Sequence, residues 1–297
     1  MPAKLIINAD DFGLCNGVNR AVIEAATSGV LTSATIMANM PASDEAIELA
    51  KKTPTLGVGV HLNVADGKPL SSDTAVQPLL DDSGEFKYSA YKLAFKSLMS
   101  KKFLKAVEVE FAAQIASILD RGIKPTHLDS HKHFHCFPPV YRIVCSLAAD
   151  FGIAAIRWPW EPATVCFGDW PKVDFMDKMR AFLARQMALS CQKLDRRFIK
   201  NDICFGIAHT GRIDDAFWSE IGRTQFVGVA EVMTHPGYPE GLGKTRLVEQ
   251  RKVELKWLCA PSTKQILADA GLKLVHYGNI DPHTNVLVQG KAFKEKK

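Results

Sequence analysis

Residues 4–38 read KLIINADDFGLCNGVNRAVIEAATSGVLTSATIMA. A short apolar run at 4–9 leads into a segment, 17–29, whose apolar residues recur at spacings of three and four. A second run rich in β-branched residues follows at 33–38. The two runs predict strands and the middle segment a helix. Strands joined by a helical crossover lie parallel, because antiparallel neighbours need only a tight turn.

The alternation continues along the chain. Further strands are predicted near 56–60, 124–128, 153–157, 203–208, 228–233 and 272–276, with helices at about 42–52, 103–121, 138–151, 172–191 and 246–270. The expected fold class is α/β: a distorted (β/α) barrel with mainly parallel strands, occupying residues 1–297 as one domain. Residues 62–102 break the rhythm, with Gly, Pro, Ser and Asp up to Gly84, and are expected to form an insertion after the third strand. The basic tail, Lys291, Lys294, Lys296 and Lys297, is expected to fray.

With 47% hydrophobic and 23% charged residues, the 297-residue chain can fill a sizeable core, which argues against long disorder. A formal charge of +5 without an arginine-rich stripe argues against nucleic acid as a partner. The seven cysteines are odd in number and fall mostly in apolar runs, so they read as reduced core residues. The first strand begins almost at once, leaving no room for a secretory signal, and no apolar run approaches the length of a spanning helix. A cytoplasmic protein is expected.

The residues at the predicted strand ends carry the chemistry. Asp10 and Asp11 follow the first strand, and His61 the third; His127, Asp129 and His131 stand at the fourth, Arg157 at the fifth, and His209, His235 and His276 at the sixth, seventh and eighth. A parallel barrel opens all its strand C-termini on one rim, where active sites assemble. Singly, each is as well explained by a turn, a cap or a hydrogen-bonded surface residue; together they predict a metal site. The tract Thr126 to His135 holds four of the nine histidines. Extended backbone would set 127, 129, 131, 133 and 135 on one side. They cannot all bind one ion, because an open catalytic site uses three protein ligands. An Asp/His/His set suits one divalent ion, Zn²⁺ or Mg²⁺, with Mn²⁺, Co²⁺ and Ni²⁺ also compatible. Such an ion can acidify a water and polarise a carbonyl, which are the two needs of amide hydrolysis.

Four motifs, Asn8 to Gly13, Gly59 to Asn63 with Gly67-Lys68-Pro69, Thr126 to His135, and Met233 to Tyr238, together resemble the YdjC-like family of carbohydrate deacetylases. The resemblance implies a distorted (β/α) barrel and a metal held by Asp11, His61 and His131. It also implies Asp10 as general base and His235 as the acid that protonates the departing amine, with Asp129 the alternative base. Within the family, Asp129 to His135, Arg157 to Pro162 and His276-Tyr277-Gly278 are most similar to the branch associated with hopanoid lipid biosynthesis.

Around this set, His127 and Asp129 are expected to orient imidazole ligands, and His133 belongs with them as an orienting or substrate-contacting residue. Arg157 and Trp158 either contact the sugar or form a buried ion pair and a packed indole. His209, His276 and His283 have no assigned role. The expected substrate is an N-acetylated sugar or glycolipid. Competing readings are a metal-dependent sugar isomerase or phosphoester hydrolase, and a sugar-binding barrel without turnover. A helix over 87–105 would align Tyr88, Tyr91, Phe95, Leu98 and Met99 beside Lys92 and Lys96, as a lid, a homodimer contact or a peripheral contact with the inner membrane surface.

Overall fold

The computed structural model describes residues 3–281 other than 193, 196 and 244. The basic tail and His283 lie outside the described residues.

The opening unit is β1 (Lys4–Phe12), α1 (Asn16–Ser28) and β2 (Ser33–Ile36), and the two strands are parallel. Next come α2 (Ser43–Lys51) and β3 (Gly57–Leu62), which extends the sheet. The insertion contains a 3₁₀ turn (Thr74–Leu79), an antiparallel bridge between Leu80 and Phe86, and α3 (Ala90–Met99). The buried Glu110 carboxylate fastens it by accepting from the backbone N–H groups of Leu70 and Ser71, each at 3.0 Å. Glu110 sits on α4 (Lys101–Asp120). The single helix expected over 87–105 is therefore two. Ser100 is extended, and its hydroxyl accepts from Phe103 N–H, so the same residue ends α3 and caps α4.

The remaining elements are β4 (Leu128–Ser130), α5 (Pro138–Asp150), α6 (Ala163–Phe167), α7 (Phe175–Cys191), β5 (Ile203–Phe205), α8 (Asp215–Arg223), β6 (Val229–Thr234), α9 (Glu249–Leu258), α10 (Pro261–Asp269) and β7 (Lys273–Leu274). The helix expected at 246–270 divides before Pro261, whose missing N–H is tolerated only in a first turn. The sequence reading did not include α8, although Phe217, Trp218 and Ile221 bury one face of it.

Strand order is β4-β3-β2-β1-β6-β5, all parallel, with β7 pairing only with Lys4 and Leu5 of β1. This curled parallel sheet is the predicted α/β class, and its distortion has two sources. The strand expected at 153–157 is reduced to isolated bridges, Leu128 with Ile156 and Ala155 with Ile199. Its ladder cannot continue: the N–H of Trp158 goes to the Asn201 side chain, and Pro159 has none. The expected eighth strand is the two-residue β7 and stands off the main path, so β6 pairs directly with β1.

Alternation along β1 sorts the core. Leu5, Ile7 and Ala9 join the large cluster beneath the helices, while Ile6 packs inside the curl with Ala155, Ile199, Val229 and Tyr277. Asn8 and Asp10 follow Ile6 on the inner side, and both are buried. Space within the curl is tight at β3, where a Cβ on Gly59 would lie 2.5 Å from the His127 ring. Gly59→Ala is expected to lower stability by about 1–3 kcal/mol through overpacking. Gly243→Ala, in open space, serves as the control, and thermal unfolding of both variants checks the difference.

Candidate metal centre and its surroundings

Two adjacent aspartates on a regular strand would face opposite sides of the sheet. Here the β1–β2 register shifts between Ala9 and Phe12, and Asp11 takes φ 66°. The bulge and the left-handed residue turn the Asp11 carboxylate to the rim on which Asp10 already stands. Few L-residues accept that backbone, and aspartate is among them.

At the rim, Asp11 Oδ1 lies 3.6 Å from His61 Nε2 and 3.3 Å from His131 Nδ1. The donor atoms of Asp11, His61 and His131 all fall within 4.8 Å of one another. Each is held from behind. Asp129 Oδ1 takes His61 Nδ1 at 2.8 Å, Asp66 Oδ2 takes His131 Nε2 at 2.9 Å, and Arg251 Nη2 donates to Asp11 Oδ2 at 2.5 Å. The nitrogen left facing the centre is thus fixed for both imidazoles. Asp11 Oδ1 is buried and has no hydrogen bond. A buried, unsatisfied carboxylate oxygen facing two imidazole nitrogens fits a divalent cation.

A second set, Asp10, His61 and Asp129, also has the right atoms, but Arg157 already occupies it. The guanidinium is fully buried and donates to both oxygens of Asp10, at 2.8 and 2.7 Å, and to Glu231 Oε1 through Nε at 2.8 Å, and its Nη1 is ion-paired with Asp129 Oδ2 at 2.6 Å. Of the two geometries foreseen for Arg157, the internal ion pair is the one present. Trp158 is likewise internal, its indole N–H on the Ala188 carbonyl at 3.0 Å and its ring stacked on Trp160. Both side chains are buried.

Burial works against charge on His61, but Asp129, Asp10 and Asp11 outweigh it and raise the ring's pKa to about 9. Burial also opposes the ionised Asp11, yet Arg251 and His131 hold its carboxyl well below the usual range. Asp10 is lowered too, against burial, chiefly by Arg157. His235 Nε2 lies 4.0 Å from Asp10 Oδ2, and burial brings this imidazole down to about 4. The resting ring is therefore neutral at physiological pH.

Other residues of the tract leave the centre. β4 ends at Ser130, and Lys132 and His133 adopt positive φ, so alternation stops and the expected one-sided row does not form. His127 stacks on Tyr277 at 4.1 Å, with Nδ1 beside the Thr126 hydroxyl. His135 is consumed by Ser130 Oγ and the Arg157 carbonyl. His133 lies edge-on to His135 and is pushed down to about 3, first by burial. His209 bonds the Pro171 carbonyl, and His276 caps a short 3₁₀ turn.

Sequence reasoning missed Asp66, Glu231, Arg251 and Glu254. Glu231 left a signal, a charge in the middle of an apolar strand. Arg251 and Glu254 left none, since charges are ordinary on a helix such as α9. Glu254 accepts from the N–H of His235 at 2.5 Å and of Gly211 at 2.6 Å, fixing the loop that carries His235.

Residues 4–269 match the family described as YdjC-like protein. A carbohydrate deacetylase of Brevibacillus brevis is 34% identical over 279 residues, covering 93% of this chain and 99% of its own. Another, from Geobacillus stearothermophilus, is 34% identical over 281 residues, covering 93% and 98%. A crystal structure from Enterococcus faecalis V583, of a protein ascribed a role in cellobiose-phosphate cleavage, superposes with a TM-score of 0.70 at 24% identity, covering 93% of this chain and 98% of that one; it shares the fold.

Asp11→Ala, His61→Ala and His131→Ala are each expected to lose a stoichiometric divalent ion on dialysis, as elemental analysis would show; retention in all three would refute the ligand set. His61 should also couple binding to protons. In the metal-free protein it stays protonated up to a pKa of about 9, His131 is raised as well, and a ligand must be deprotonated, so affinity should rise roughly tenfold or more per pH unit from 6.5 toward 9 and then flatten. Titration calorimetry across that range measures it.

Proposed function

Because the chain belongs to the YdjC-like family of carbohydrate deacetylases, we propose that it hydrolyses the acetamide of an N-acetylated sugar and releases acetate. The reading rests above all on the set of buried Asp11 and His61 with half-buried His131, standing beside Asp10 and His235. The enzyme is a hydrolase. In the reaction, water adds to the acyl carbon, the C–N bond breaks, and the amine leaves with a proton.

Asp11, His61 and His131 would hold a divalent cation, which would supply Lewis acidity toward the carbonyl and the attacking water. Asp10 is the base. Arg157 and Asn8 fix its carboxylate, with Asn8 Nδ2 donating to Oδ1 at 2.9 Å, and keep it ionised and aimed. Asp129, the other base considered, is fully buried behind His61 and spends its oxygens on His61, Arg157 and Thr35. It positions the imidazole.

His235 is neutral at rest, so it must gain a proton before giving one. Asp10, 4.0 Å away, stands where it can pass on the proton taken from water, and His235 then delivers it to the amine. Negative charge developing on the acyl oxygen would favour the protonated ring at that moment. The similarity of Asp129 to His135, Arg157 to Pro162 and His276 to Gly278 to the hopanoid-associated branch supports a glycolipid as the form in which the sugar arrives.

Acetate release from N-acetylglucosaminyl oligosaccharides and glycolipids tests the assignment. Isomerisation, phosphoester hydrolysis and simple binding release none. Asp10→Asn and His235→Ala should keep the metal and substrate binding while turnover falls by roughly 10²–10⁴; near-normal turnover in either variant would remove that residue from the mechanism.

A further inference from the structure

Fourteen large hydrophobic side chains are exposed among the described residues, and ten of them stand on three helices, α3, α6 and α7. Tyr91, Phe95, Leu98 and Met99, each 62–70% exposed, follow helical spacing along one face of α3. Phe175, Met176, Met179, Phe182 and Leu183 repeat the pattern on α7, and Phe167 joins them from α6. Both α3 and α7 contact the 3₁₀ turn His131–Cys136, whose first residue faces the candidate metal centre. The start of α7 is tied to the loop after β5 by Arg212 and Asp174 at 2.8 Å. Both helices that carry the apolar faces therefore pack on the turn that begins with His131.

Charge indicates the occupant. Residues 86–107 contain six lysines, 87, 92, 96, 101, 102 and 105, and no acidic residue. Tyr88, Tyr91, Phe95, Lys92 and Lys96 line an open hollow of about 430 Å³. In an isologous dimer these lysines would face their own copies. An anionic interface would instead neutralise them while the aromatic and aliphatic groups enter its headgroup region. No helix among the described residues is long and apolar enough to cross a membrane.

We infer that α3 and the α6–α7 segment form a collar that docks peripherally on an anionic lipid bilayer, with the active-site mouth facing the surface. The surface argument is independent of the deacetylase reading. Combined with that reading, it makes the substrate a sugar carried on a lipid.

Flotation with phosphatidylcholine–phosphatidylglycerol vesicles, and with phosphatidylcholine alone, tests the collar at low salt. The unaltered protein should float with the anionic vesicles and not the neutral ones. The pairs Tyr91→Ser with Phe95→Ser, Lys92→Glu with Lys96→Glu, and Phe175→Ser with Met176→Ser should each reduce flotation roughly tenfold or more. All six positions lie outside the centre, so acetate release from a soluble N-acetylated sugar should be unchanged, which also reports correct folding. Docking is overturned if the unaltered protein stays with the soluble fraction, if neutral vesicles bind equally, or if no pair alters flotation. It is also overturned if sedimentation shows a dimer that Tyr91→Ser with Phe95→Ser dissolves while nothing floats. A protein that floats as expected but releases no acetate from any N-acetylated sugar supports the collar and refutes the deacetylase reading.

Discussion

Arg157 is a single buried guanidinium held among Asp10, Asp129 and Glu231. Burying one positive charge among several carboxylates is favourable only if each ion finds a partner. Arg157 does not meet that condition alone: with Arg251 on Asp11, two guanidiniums face four carboxylates. His61 offsets part of the deficit by holding a proton to about 9. A divalent cation could relieve the remainder, and it would do so where Asp11 Oδ1 lacks a partner. An affinity of this candidate centre for a cation would thus arise from the charge balance of the interior as well as from Asp11, His61 and His131.

The rest of the rim keeps that balance in place. Asp129 ties His61 to Arg157, and Thr35 spans Asp129 and His61 from the neighbouring strand. On the opposite side, Asn63 accepts from Ala65 and Asp66 N–H and donates to the Asp66 carbonyl, which shapes the loop presenting Asp66 to His131. Tyr277 donates to Glu231 at 2.6 Å, closing the network from beneath.

The periodicity of the sequence carries most of the fold. Buried parallel strands show as β-branched runs, and His61, His131 and His235 could be placed on one rim because parallel strands end together. Periodicity could not show where a ladder fails. The strand expected at 153–157 has the right residues, but hydrogen bonding to the Asn201 side chain and Pro159 interrupt it. Nor could it show Asp11 turning at a bulge, since regular alternation places Asp10 and Asp11 apart. Arg157 was legible as a strand-end residue but not as the centre of the cluster, because its role depends on Glu231, some seventy residues away in sequence. Arg251 and Asp66 are visible only once tertiary structure brings a helix and a loop to the rim.

The closure between β4 and β5 has a further meaning for motion. Across this seam, among the described residues, strand pairing is reduced to the bridges at Leu128–Ile156 and Ala155–Ile199, beside single bonds such as that from the Cys204 N–H to the Trp160 carbonyl. Opening free energy follows the density of such bonds. Amide protons of Ile156 and Ile199 should therefore exchange with solvent through smaller, subglobal openings than those of Ile6 or Ile7, which lie mid-ladder in β1. Arg157 follows Ile156 directly, so each such opening would loosen the clamp on Asp10. The rigidity of the Asp10 carboxylate would then be set by the least continuous part of the curled sheet.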